Sequence, residues 1–166
     1  MNNKNNLKAV FFDFGGTLMD AQSDITAHLN MIKNIKEHYA IRISEEELLD
    51  NYQSQLFNND MTIKDSPGSI KNQYTKLMFI SINAFQNMLE NFNINIKKAD
   101  IAWFNSIYLD NHLKYAELVE GTWEVINLVK EKGRHCGIIS DIDNDYQVKQ
   151  FQSLNLNGVF DSITTS

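Results

Sequence analysis

The chain opens on a short apolar run with no polar alternation, Ala9-Val10-Phe11-Phe12, which stops at Asp13 and turns at once into Phe14-Gly15-Gly16-Thr17. An unalternated run of this length predicts a strand buried on both faces of a parallel sheet. From residue 20 to about 115 the period changes to three and four, and four helices follow. The first is predicted over 25–39, with Ile25, Leu29, Ile32, Ile35 and Tyr39 on its apolar face. A capping box, Ser44 with Glu47, opens the second, which runs to near Phe57. A loop over 58–68 is predicted from Asn58-Asn59-Asp60 and Pro67-Gly68, its 61–69 stretch forming a lip for substrate. The third helix covers 69–91 with Ile70, Tyr74, Leu77, Met78, Ile82, Phe85 and Leu89; the fourth covers 97–114. Four amphipathic helices with short connections predict a small bundle.

From Glu120 the grammar is α/β again. Val125, Leu128 and Val129 stripe a helix that stops at Lys130-Glu131-Lys132-Gly133. The strand His135-Cys136-Gly137-Ile138-Ile139 closes at Ser140-Asp141, a helix follows over 146–154, and residues 158–165 approach a third strand. The acids Asp141, Asp143 and Asp145 sit where charge favours that helix's N-terminus, and they lack the glycine and distant glutamate of a calcium loop.

Composition narrows the function classes. At 166 residues, 43% hydrophobic and 22% charged, the chain has the size and make-up of one ordinary globular domain, or of a compact domain with a modest insertion. A net charge of −6 without a Lys/Arg cluster argues against nucleic acid. No apolar stretch spans a membrane, and the start, MNNKNN, lacks the apolar segment of an export signal, so a cytoplasmic location is expected. The single cysteine, Cys136, excludes an internal disulfide framework and suits a small core residue. His28, His38 and His112 have no metal-ligand spacing and read as surface or capping residues, and Trp103, Phe104 and Tyr108, at helical spacing, as core.

The chemistry is expected at Asp13. Ligands of open parallel sheets sit at the carboxyl ends of the strands. Gly15 and Gly16 bring backbone close to a ligand with N–H groups turned to an anion. Ser140, at the tip of a second strand, supplies a hydroxyl to the same anion. Asp13-Phe14-Gly15-Gly16-Thr17-Leu18, followed by the strand that ends in Ser140, resembles the first two motifs of the haloacid dehalogenase-like (HAD) superfamily. That resemblance implies an α/β fold: a Rossmann-like parallel core at 1–18 and 116–166, C-terminally incomplete, with an inserted all-helical cap at 19–115. The cap would close over the strand ends and choose the substrate.

The resemblance further implies a magnesium-dependent phosphohydrolase acting on a small phosphorylated metabolite. Asp13 would attack phosphorus and, with the Gly15 carbonyl, hold Mg2+; Phe14, Gly15, Gly16, Ser140 and Asp141 would bind the phosphoryl group. The family's usual Asp-x-Asp-Gly-Thr is broken here, where Gly15 replaces the second Asp, the general acid for the leaving group. The family's lysine and second acidic pair have no counterpart before Ser166. The expectation is therefore little or no activity for these residues alone, and an exposed first-strand edge able to pair with another chain. Alternatives are a dehalogenase or phosphonate-type hydrolase of the same superfamily, and a non-catalytic HAD-like scaffold.

Overall fold

The computed structural model describes residues 7–64, 73–140 and 144–165. In chain order the elements are β1 (Ala9–Phe12), α1 (Ala21–His38), α2 (Glu45–Lys64), α3 (Gln73–Glu90), α4 (Lys98–Tyr115), α5 (Thr122–Glu131), β2 (His135–Ser140), α6 (Asn144–Ser153) and β3 (Ser162–Thr165). The strands form one parallel sheet in the order β1-β2-β3, with Phe12 opposite Ile138 and Ser140 opposite Thr165. This is the α/β fold with a helical insertion that the sequence pattern implies. The chain divides into two compact units, residues 1–23 with 116–166 and residues 24–115.

The first unit holds the sheet. Its core gathers Phe14, Leu18 and Met19 after β1, Ile126 and Val129 of α5, Cys136 and Ile138 of β2, and Phe151 of α6. Two successive crossovers that step the same way along a parallel sheet bring their helices to the same face, and α5 and α6 both feed this one core. The strands are consequently buried on one face, not both: Cys136, Ile138 and Ser140 point inward, while Phe11 is 47% and Ile139 54% exposed. The expectation of a doubly buried β1 is thus corrected. β1 is moreover an edge of the sheet. Opposite Phe11 the sheet carries Gly137, where a Cβ would stand 2.5 Å from the Phe11 ring.

The predicted stripe of α5 is also corrected. Val125 and Leu128 are half-exposed, and the buried positions are Thr122, Ile126 and Val129. Steps of four and three from Thr122 trace a face that Val125 and Leu128, just beside it, obscured.

The second unit packs α1 to α4 around Met31, Ile32, Ile35, Leu48, Tyr52, Phe85, Met88, Leu89, Phe104 and Tyr108. The rings of Phe85 and Phe104 stack at 4.3 Å, and Phe104 and Tyr108 are core as expected. The Ser44 hydroxyl accepts the N–H of Glu47 at 3.1 Å, completing one arm of the capping box. Two expectations fail here. In α1, Ile32 and Ile35 are buried as expected, but Ile25 and Leu29 are exposed, and Ala27 and Met31 take their places on the buried face. In α2, helix continues through Lys64, which overturns a loop beginning at Asn58. Asn and Asp each cost a helix only up to about 0.7 kcal/mol, far below a proline's roughly 3 kcal/mol. Pro67-Gly68 and the rest of the expected lip lie outside the described residues.

Candidate active site

β1 delivers Asp13 to the carboxyl end of the sheet, and parallel pairing puts the end of β2 at Ser140 on the same edge. Phe14 is fully buried, its ring edge-on to Phe151 at 4.9 Å, so the residue after Asp13 is an anchor. Its carbonyl accepts the N–H groups of Thr17, Leu18 and Met19 at 3.3, 3.0 and 2.9 Å, which closes the turn beneath Asp13. Gly16 donates to the Met19 carbonyl at 3.0 Å and has φ +72°. Glycine takes that left-handed conformation without the penalty a Cβ would bring.

The turn is tied in turn to the approach to α5. Asp20 donates to the Glu117 carbonyl, Val119 to that of Leu18, both at 2.9 Å, and the Thr122 hydroxyl to Leu18 at 3.3 Å. The Asp13 carboxylate itself is exposed, with the Thr17 hydroxyl donating to its Oδ2 at 3.4 Å.

These bonds sort the expected phosphate ligands. The N–H of Gly16 is committed within the turn, contrary to the expectation that it faces an anion. The Phe14 side chain is core, so only its main chain can contribute. Among the described residues, the N–H and carbonyl of Gly15 take no part in the turn's hydrogen bonds. Gly15 therefore offers one donor and one hard oxygen beside the carboxylate. Ser140 is buried at the tip of β2, and Asp141 lies outside the described residues. Burial pushes the Cys136 thiol up, which leaves it an inert core residue.

The histidines divide differently from the expectation. His38 is exposed and stacks on Trp103 at 4.1 Å. His112 is buried, and with His28 it meets Asp24: His28 Nδ1 is 3.3 Å from Asp24 Oδ2, and His112 Nε2 is 3.4 Å from Asp24 Oδ1. Reading these two as surface or capping residues is corrected. Asp24 and His28 stand one helical turn apart, a visible signal, but no local pattern announces that the last turn of α4 joins them.

A sequence profile described as Haloacid dehalogenase-like hydrolase matches residues 10–166. A comparison with curated proteins gives no match. Among solved structures, the chain is similar to YfnB from Bacillus subtilis, assigned as a HAD-hydrolase and solved bound to magnesium. That likeness has 16% identity and TM-score 0.69, over 96% of this chain and 65% of that one. The L-2-haloacid dehalogenase from Xanthobacter autotrophicus, with chloropropionic acid covalently bound, gives 14% identity and TM-score 0.59 over 96% and 56%. A Thermotoga maritima protein assigned as beta-phosphoglucomutase gives 16% identity and TM-score 0.59 over 95% and 61%. The chain thus spans less than two thirds of each of these three structures.

Proposed function

The chain belongs to the haloacid dehalogenase-like hydrolase family, and we propose that its reaction is phosphoryl transfer from a small phosphorylated metabolite to Asp13, followed by hydrolysis. One observation carries this reading: an exposed carboxylate leaves a parallel strand beside a main-chain N–H and carbonyl, those of Gly15, that the turn does not use. An Asp13 oxygen attacks phosphorus in line, the bond to the leaving oxygen breaks with its electron pair, and water then cleaves the aspartyl-phosphate to release inorganic phosphate and restore Asp13. The Gly15 N–H and the Ser140 hydroxyl are the chain's donors to the phosphoryl oxygens. The Thr17 hydroxyl holds one Asp13 oxygen and so sets which of the two is presented.

The donor set fits magnesium in part. The Asp13 carboxylate and the Gly15 carbonyl are hard oxygens of the kind Mg2+ takes, with water completing six positions. When bound there, the ion would offset charge on the phosphoryl oxygens. Residue 15 supplies no proton to the leaving group, a function worth typically 10²–10⁴-fold. Esters with acidic leaving groups are accordingly the better substrates.

The test is release of nitrophenol from p-nitrophenyl phosphate with and without Mg2+, against an alkyl phosphate as comparison. Slow, Mg2+-dependent turnover of the aryl ester is expected, abolished in Asp13→Asn. Gly15→Asp restores the acid at a position outside the left-handed region, so it should raise alkyl-phosphate turnover by roughly 10²-fold or more. Turnover unchanged in Asp13→Asn ends the proposal.

A second reading has two observations behind it: residue 15 carries no acid, and a structural relative is a dehalogenase with chloropropionic acid covalently bound. Asp13 would then attack carbon of a haloacid and expel halide. Halide release from 2-chloropropionate in EDTA, with no phosphatase activity, would favour it.

A further inference from the structure

We propose that Asp24, His28 and His112 form a binding site for a divalent transition-metal ion of the zinc class, within the helical unit and independent of Asp13. The three side chains each offer a ligand atom, and these atoms lie within 4.8 Å of one another. Asp24 and His28, four residues apart on α1, project from one helix face, and His112 joins them from the last turn of α4.

The two contacts reach different carboxylate oxygens of Asp24, Oδ2 from His28 and Oδ1 from His112, and both are looser than an ion pair. A charge-assisted N–H···O bond settles at about 2.7–2.9 Å, whereas the two Asp24–His contacts are 3.3 and 3.4 Å. Ligands held about 2.0–2.1 Å from one tetrahedral ion stand roughly 3.3 Å apart, so an ion would draw the three ligand atoms, which lie within 4.8 Å of one another, closer together. The imidazoles meet at 88° with centroids 4.7 Å apart, so they approach the carboxylate from different directions instead of stacking.

His112 also carries the support that metal-bound histidines have. Its Nδ1 lies 2.7 Å from the Tyr108 carbonyl. A carbonyl only accepts, so Nδ1 bears the proton and Nε2, the nitrogen turned toward Asp24, is the ligating atom of the neutral ring. The Tyr108 ring stacks on His112 at 4.1 Å and holds its plane. His28 Nδ1 faces two Asp24 oxygens, the carboxylate and the main-chain carbonyl at 3.0 Å. Ligation through Nδ1 takes the other tautomer of the neutral ring, the proton moving from Nδ1 to Nε2. Tyr52 and Tyr108 wall His28 at ring distances of 6.1 and 6.2 Å, while Asp24 is half-exposed and leaves the ion a path from solvent.

The donor set selects the metal. Two imidazoles and one carboxylate suit zinc, cobalt or nickel and discriminate against magnesium and calcium, which prefer oxygen. Three protein ligands leave a fourth position for water. An ion there clamps the beginning of α1 to the end of α4.

The experiment is equilibrium dialysis of the tag-free, EDTA-stripped full chain against Zn2+ in excess Mg2+, with Co2+ absorption and melting temperature alongside. One zinc equivalent is expected, with intense visible bands for tetrahedral Co2+. At a hundredfold excess over Kd, Zn2+ should raise the melting temperature by roughly 5–10 °C. Asp24→Asn and His112→Gln should each weaken binding at least about tenfold, and Asp13→Asn should leave it unchanged. No retained zinc, equal retention in both ligand variants, or loss in Asp13→Asn overturns the proposal. Should His112→Gln fail to fold, Asp24→Asn, altered at a half-exposed side chain, decides alone.

Discussion

Two adjacent glycines after Asp13 do different work. Gly16 occupies φ +72°, where a Cβ would cost about 1–2 kcal/mol; Gly15 has no such requirement, so chemistry and not backbone strain decides what belongs at that position. The Asp24 group gives the molecule a pH dependence of its own. Burial alone would raise the Asp24 carboxyl, but in the metal-free chain hydrogen bonds from the protonated rings of His112 and His28, together with their charge, hold it well below the usual carboxylate range. Burial alone would lower His28, and the hydrogen bond and charge of Asp24 raise it above 6.5 instead. A depressed acid stabilises above its unfolded value of about 3.9 and loses that stability as pH falls through the folded value. A raised histidine stabilises below about 6.5 and loses it as pH rises through its own folded value. Both contributions are present together between about pH 4 and 6.5. Urea midpoints in EDTA should therefore separate wild type from Asp24→Asn most widely at pH 5–6, narrowing toward pH 8 and toward pH 2. A gap that is constant with pH would show that the pair is not linked to folding.

Elements were legible in the sequence where a local signal sufficed. The run from Ala9 to Phe12, the Ser44–Glu47 cap and the Lys130–Gly133 stop each name a strand or a helix end from neighbours alone, and the structure has all three. Faces were less legible, because burial depends on what packs against an element. Phe11 continues an apolar run yet lies on the uncovered side of the sheet, since α5 and α6 both serve the other side. In α5 the residues Val125 and Leu128 have the hydrophobicity of core but not its position. That correction is testable: Ile126→Ala should cost about 2–5 kcal/mol in denaturant unfolding, and Leu128→Glu should stay within about 0.5 kcal/mol. The reverse order would restore the predicted stripe. In the candidate active site, Asp13 and Ser140 were legible because each ends an apolar strand. The commitment of the Gly16 N–H was not, since it depends on a bond to Met19 that only the closed turn makes. His112 was illegible for the same reason at longer range, its partner lying on α1.

The molecule carries two cores that share no residue. One is built from residues 14–19 and 126–160 around the sheet, the other from residues 31–108 between the helices. Among the described residues, the turn under Asp13 draws its hydrogen bonds from the first unit, through Phe14, Met19, Glu117 and Thr122. The zinc-class ligands belong to the second. Damage to one core should then be felt first by the amides that close over it. Phe85, fully buried and stacked on Phe104, is the strongest lever, because Phe→Ala costs about 3–5 kcal/mol against a typical domain stability of about 5–15 kcal/mol. In native-state hydrogen exchange, Phe85→Ala should strip protection from buried amides of α1, α3 and α4. Cys136 and Ile138 in β2 should keep wild-type protection, since their strand bonds and the Asp161 carboxylate that accepts the Cys136 N–H at 2.8 Å lie within the sheet unit. Equal loss in both sets would mean that the two cores unfold as one cooperative body, and a defect among the helices would then reach Asp13 through stability alone.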